Sequence, residues 1–149
     1  MNQDFVELLR AFVDHEVEFV VVGAHALAAH GHVRATKDLD VWIRPTPENA
    51  TRAYAALGFF GAPLAELEPA DLCTPGTVFQ IGVAPVRIDI LTKIDGVEFE
   101  GAWSDRIVAH VGGVEVPVLS RIHLIANKKA SGRLQDLADV ERLESSPEE

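Results

Sequence analysis

The chain has 149 residues, 13 Lys plus Arg against 23 Asp plus Glu, one cysteine and 48% hydrophobic residues. That is the composition of one globular domain able to form a core without disulfides or a structural metal. Cys73 stands alone, which excludes an intramolecular disulfide and suits a reducing cytoplasm. A formal net charge of −10 opposes broad binding to a phosphate backbone, which depends on Lys and Arg neutralising phosphates, so any nucleic-acid contact would have to be local or partner-assisted.

In chain order, Met1 to Phe5 has no basic leader, and Asp4 and Glu7 argue against a transit peptide, so a cytoplasmic protein is expected. Phe5, Val6, Leu8, Leu9, Phe12 and Val13 recur at helical spacing and predict an amphipathic helix over 4–16. The β-branched run Phe19-Val20-Val21-Val22 predicts a strand, ended by Gly23, with a short helix from Ala24 to His30. The longest apolar stretch, Phe19 to Ala29, is broken by His25 and falls short of the ~20 residues of a membrane helix, so no membrane partner is expected.

A basic stretch, Arg34-Ala35-Thr36-Lys37, precedes the alternating segment Asp38-Leu39-Asp40-Val41-Trp42-Ile43, which predicts a strand. Thr46 as N-cap and Pro47 at the first position start a helix expected to stop at Gly58. Residues 61–76, with Pro63, Pro69 and Pro75, read as a connector and as the best candidate for a loop over a site. Thr77 to Ile81 and Val86 to Leu91 read as strands, and Ile107–Val111 and Val114–Leu119 as a hairpin turned at Gly112-Gly113. Ser120 caps a helix through about Lys129, and Leu134, Leu137, Val140 and Leu143 mark another. Residues 1–143 then form one domain of mixed α+β (α/β) class, with 144–149 a solvated tail.

Side chains alternate along a strand, so Asp38 and Asp40 project from one face about 7 Å apart. Two such carboxylates repel unless a cation sits with them, and a hard divalent ion such as Mg²⁺ meets oxygen ligands of this kind. Asp89 lies in a second apolar strand, where an acid is costly without a purpose. If the two strands are adjacent, three carboxylates gather; a structural pairing of Asp89 with Arg87 is the other reading. Upstream, the turn Val22-Gly23-Ala24 opens a helix whose free N–H groups could hold a phosphate. A phosphate cradle beside a metal site suits phosphoryl or nucleotidyl transfer, with Arg34 placed to balance phosphate charge.

These residues resemble the minimal nucleotidyltransferases of the DNA polymerase β-like superfamily: Gly23-Ala24, thirteen residues, Asp38-Leu39-Asp40-Val41, and later Arg87-Ile88-Asp89-Ile90-Leu91. Within it, Gly23-Ala24-His25-Ala26, Arg34 to Asp40, Lys128-Lys129-Ala130 and Arg133 to Asp139 look most like the small bacterial enzymes related to abortive-infection toxins. The resemblance implies a nucleotidyltransferase-like mixed sheet flanked by helices. It also implies transfer of a nucleoside monophosphate from an NTP, such as ATP, to a hydroxyl of an RNA end or a small molecule.

It further implies two Mg²⁺ ions on Asp38 and Asp40, with Asp89 completing the site as, or beside, the general base. Gly23 and Ala24 would hold the triphosphate, Arg34 and Lys128 would contact the nucleotide, and Asp136 would orient Lys128 or the acceptor. An antitoxin protein is the partner a toxin role would bring. The chain departs from the pattern at Ala24, where the superfamily has Gly or Ser, keeping the N–H and losing a hydroxyl. A catalytically silent nucleotide- or protein-binding module is the alternative from a different class.

Three side-chain readings stay open. His25, His30 and His32 invite zinc, but His25 and His30 do not share a helix face and Cys73 is isolated, so structural or surface roles are expected. Trp42 shares the face of Asp38 and Asp40 and could stack on a base or pack in the core. Lys128, Lys129 and Arg133 form either a solvated helix face or part of a nucleotide site.

Overall fold

The computed structural model describes residues 1–33, 38–83 and 86–145. Its elements in order are α1 (Gln3–Asp14), β1 (Phe19–Val22), α2 (Gly23–Ala29), β2 (Leu39–Ile43), α3 (Pro47–Phe60), β3 (Val78–Ile81), β4 (Ile88–Leu91), α4 (Phe99–Ser104), β5 (Ile107–Val111), β6 (Val114–Val118), α5 (Arg121–Ser131) and α6 (Leu134–Glu144). The strands form one mixed sheet in the order β3-β4-β2-β1-β6-β5. β1 runs antiparallel to β2, which lies parallel to β4, while β6 runs parallel to β1 and antiparallel to β5. This is the expected mixed α+β class.

The alternation of β2 divides its side chains between two layers. Leu39, Val41 and Ile43 are buried, as are Phe19 and Val21 of β1 on the same face. Phe12 meets Phe19 edge-on with ring centroids 5.5 Å apart, which seats α1 on that face, and α3 packs against α1. On the opposite face stand Asp40, Trp42 and, in register beside them, Asp89 and Leu91. α4 covers this second face at Trp42, whose indole meets Phe99 edge-on at 5.0 Å.

Local signals explain most boundaries. Asn2 caps α1, Thr46 caps α3 with Pro47 behind it, and Ser120 caps α5, each side-chain oxygen accepting a backbone N–H of the first turn. Gly112 and Gly113, with φ of 60° and 82°, make the two-residue turn of the β5–β6 hairpin.

Three expectations need correction, and one helix, α4, was not expected. α3 passes through Gly58 and stops at Gly61, whose φ of +97° supplies the left-handed cap that Gly58 was expected to provide. Residues 61–76 do not cover the acidic site. They contain a 3₁₀ turn, Pro69–Cys73, packed on α3, and the Tyr54 hydroxyl donates to the Leu67 carbonyl at 3.0 Å. The short helix α4 had no periodicity long enough to declare it. Glu144, expected in the tail, is the last residue of α6, and the rest of the tail lies outside the described residues except Ser145.

Candidate active site

The C-terminal end of β1, the start of β2 and the start of β4 meet at one cleft of about 370 Å³, lined by Gly23, Ala24, Asp38, Asp40, Arg87, Asp89, Lys128, Arg133, Gln135, Asp136 and Asp139. Parallel pairing places Asp40 directly opposite Asp89. Neighbouring strands lie about 4.8 Å apart, so the two carboxyl groups share one small region of the face. Gly23 follows the β1 residue that pairs with Asp40 and turns the chain with a φ of +68°. A Cβ here would overlap Asp40 Oδ2, so both the backbone angle and the space demand glycine.

Arg87 stands among the acids. Its Nη2 lies 2.8 Å from Asp38 Oδ2 and its Nε 3.1 Å from Asp89 Oδ1, and Nη2 also donates to Asp89 Oδ2 at 3.3 Å. One guanidinium therefore bridges two carboxylates, those of Asp38 and Asp89. Burial, then the charge of Asp89 and that of Asp38, push the Asp40 carboxyl up to about 7, with Arg87 opposing them. Asp89 Oδ1 is buried with no hydrogen-bond partner in spite of its ion contact. The centre therefore holds more negative charge than its own cation balances.

That surplus, together with an unmet buried oxygen, suits a hard divalent cation, which takes oxygen ligands. As the side chains stand, no three His, Cys, Asp or Glu groups among the described residues converge closely enough to hold a metal ion. The expected three-carboxylate cluster is therefore a close pair, Asp40 and Asp89, with Asp38 joined to Asp89 through Arg87. Asp89 lies beside Asp40 and also pairs with Arg87.

The opposite wall is built by α5 and α6. Lys128, on α5, is 8% exposed, and its ammonium lies 2.9 Å from Asp139 and 3.5 Å from Asp136. Arg133, the N-cap residue of α6, reaches Asp136 at 2.7 Å. Burial works against the charged form of Asp136, yet the Arg133 hydrogen bond and the Lys128 charge hold its carboxyl below the usual range. Lys128 is thus a fixed cation facing the acids, while Lys129 is exposed and pairs with Glu144.

Of the site residues named from the sequence, Gly23, Ala24, Asp38, Asp40, Asp89, Lys128 and Asp136 line this one cleft. Arg34 lies outside the described residues. Asp139, fully buried, was not singled out; its signal was its spacing of three from Asp136, which puts both acids on one face of α6. Trp42 shares the face of Asp40 but is 2% exposed, so it is a packing residue and not an exposed base platform. Of the histidines, His25 packs edge-on against Phe5 and His30 bonds the Leu119 carbonyl at 2.9 Å.

No protein-family profile and no curated protein sequence matches the chain. Solved structures do. The lincosamide antibiotic adenylyltransferase LnuA, with lincomycin bound, superposes with a TM-score of 0.62 over 97% of this chain and 97% of its own, at 11% identity. The fold is a nucleotidyltransferase fold. A Thermotoga maritima protein assigned as a nucleotidyltransferase, TM1012, superposes with a TM-score of 0.57 over 97% of this chain and 92% of its own, at 17% identity. Both likenesses run across nearly the whole chain, so the cleft sits in a nucleotidyltransferase-like fold. No helix among the described residues is long and apolar enough to cross a membrane.

Proposed function

We propose that the protein transfers a nucleoside monophosphate from an NTP to an acceptor hydroxyl and releases pyrophosphate. The observation that carries this reading is the register pair Asp40–Asp89, set against the Gly23 turn and facing the buried cation Lys128. Asp38, Asp40 and Asp89 would hold Mg²⁺, two ions by the resemblance. Bound there, the metal would neutralise phosphate charge and favour departure of pyrophosphate.

The chain's own residues supply the rest. The first N–H groups of α2, at Gly23 and Ala24, have no side-chain cap and lie in the cleft, where they can donate to phosphate oxygens. Lys128, held in place by Asp136 and Asp139, supplies a fixed positive charge toward the nucleotide. Asp89 Oδ1, buried and without a hydrogen-bond partner, is positioned to take the acceptor's proton. Arg34 is assigned to the nucleotide by the sequence resemblance alone.

A net charge of −10 favours a small-molecule acceptor over an RNA end. LnuA, described as an antibiotic adenylyltransferase, is consistent with that choice. An RNA acceptor, with a toxin role and an antitoxin partner, would require a local basic surface. The second reading, a silent nucleotide-binding module, draws on Arg87, whose ion pairs occupy the acids without any metal.

The test is incubation with each NTP labelled at the α-phosphate, Mg²⁺ and a panel of alcohols and RNAs. Transfer of label with release of pyrophosphate, lost in Asp40→Asn and Asp89→Asn, is the expected result. Nucleotide binding without transfer to any acceptor favours the silent module.

A further inference from the structure

Among the described residues, the cations lining the acidic cleft are Arg87, Lys128 and Arg133. Arg87 is clamped between Asp38 and Asp89, and Lys128 between Asp136 and Asp139. Arg133 differs from both. Its one carboxylate partner among the described residues is Asp136, and its side chain is 79% exposed where that of Asp136 is 5% exposed.

Helix stability does not explain an arginine at this position. Arg133 is the N-cap residue of α6 and makes no side-chain cap. A cation there stands at the positive end of the helix dipole, where an acid or a short polar side chain is favoured. What holds the guanidinium is Asp136: Nε donates to Oδ2 at 2.7 Å and Nη2 to Oδ1 at 3.4 Å. That fork uses one edge of the group, and the N–H donors of Nη1 have no partner among the described residues. The Asp136 hydrogen bond, then its charge, raise the guanidinium above its ordinary value, and the charge of Asp40 adds to them. An exposed cation is thus oriented by a buried acid and lies in the field of the acids proposed to react.

We propose that Arg133 grips the β- and γ-phosphates of the donor nucleotide and so makes the cleft selective for a triphosphate. This rests on the nucleotidyl-transfer reading of the same cleft. Five carboxylates, those of Asp38, Asp40, Asp89, Asp136 and Asp139, line the cleft. A polyphosphate chain entering among them needs a cation whose donors are not already spent on acids. Lys128 is buried and Arg87 is shared by two carboxylates, whereas Arg133 is open to a ligand arriving from solvent. A guanidinium can give a phosphate two parallel hydrogen bonds, which an ammonium cannot match in geometry.

In the transfer, the acceptor oxygen bonds to the α-phosphorus and its proton passes to Asp89. The bond from that phosphorus to the bridging oxygen breaks, and pyrophosphate leaves with the electron pair. Arg133, still on the pyrophosphate, balances the charge that it gains. A nucleoside monophosphate offers Arg133 no such chain.

The test is calorimetric titration of wild type, Arg133→Gln and Arg133→Lys with ATP, GTP, CTP and UTP in Mg²⁺, each in competition with the matching nucleoside monophosphate. Urea denaturation checks that the variants fold. The expected result is that the preference of wild type for an NTP over its monophosphate falls at least tenfold in Arg133→Gln and recovers in part in Arg133→Lys. A merely structural role would weaken both nucleotides together and leave the preference unchanged. An unchanged preference in Arg133→Gln, with wild type binding an NTP, overturns the assignment of Arg133 alone. Failure of wild type to bind any of the four NTPs overturns the nucleotidyl-transfer reading and this proposal with it.

Discussion

Asp40 and Asp89 stand directly opposite each other on parallel strands, and Arg87, two residues before Asp89, contacts Asp89 and Asp38 together. Burial first, and then the charges of Asp89 and Asp38, push the Asp40 carboxyl up to about 7, with Arg87 the one cation set against three acids. From this follow two consequences, one for pH dependence and one for cation binding.

Without divalent cation, stability should fall as pH rises from about 4 to above 7. The free carboxyl has a value of 3.8 and the folded one about 7, so across that window the folded state holds a proton that the unfolded state has lost. Asp136, held below its usual range, acts in the opposite sense and only at acid pH, where its protonation removes stability. Urea denaturation at pH 5 and pH 8 in EDTA should show the loss at pH 8, reduced in Asp40→Asn. Equal loss in wild type and Asp40→Asn would contradict the assignment to this carboxyl.

Arg87→Met removes the cation that Asp38 and Asp89 share. The variant should be less stable without metal at pH 8 and should bind Mn²⁺ more tightly than wild type by calorimetry, because the competing positive charge is gone. Weaker Mn²⁺ binding would show that Arg87 helps to organise the acids for the ion.

Gly23→Ala should cost about 1–3 kcal/mol from the left-handed backbone alone, and the new methyl group would displace Asp40 Oδ2. Denaturation of the variant reads the first effect; loss of Mg²⁺-dependent NTP stabilisation reads the second. Retained NTP response at wild-type strength would mean that the contact of Gly23 with Asp40 does not shape the cleft.

Lys128 and Asp139 form a buried pair, and removing one partner of such a pair costs about 3–5 kcal/mol. Asp139→Leu should fall at the low end, since Lys128 keeps Asp136. Lys128→Met combined with Asp139→Leu should recover part of that loss, because no buried ammonium is left short of a partner. Chemical denaturation of the single and double variants measures the difference, and a double variant no more stable than Asp139→Leu would contradict it.

Much of the site could be read from sequence because strand alternation is strict. Asp38-Leu39-Asp40-Val41 assigns its own faces, and an acid inside Ile88 to Leu91 stands out against apolar neighbours. That β2 lies beside β4 was beyond local pattern, since β3 intervenes in sequence and takes the outer edge. The Arg87 bridge depends on that adjacency and remained one of two readings. For Lys128 the sequence left open a solvated helix face or a nucleotide site; the packing of α5 on α6 buries it while leaving Lys129 outside.

The misplaced boundaries have similar causes. Gly58 sits inside α3 because a Cβ there would meet Leu64 at an ordinary 3.6 Å, with no backbone angle requiring glycine, whereas Gly61 takes the left-handed cap. α4 has six residues, no side-chain cap and a central Gly101, so it holds its shape through Phe99 and Ala102 packing in the core. Such tertiary stabilisation leaves no periodic trace.

The decisive measurement is thermal stability of wild type and of Asp38→Asn/Asp40→Asn, titrated with each of the four NTPs in the presence and absence of Mg²⁺. Ligand at 100 times its Kd adds about 2.7 kcal/mol. Stabilisation of the wild type by at least one NTP, dependent on Mg²⁺ and abolished in the double variant, is the expected result. No stabilisation by any NTP, or equal stabilisation of both proteins, would contradict a nucleotide and metal site at Asp38, Asp40 and Asp89.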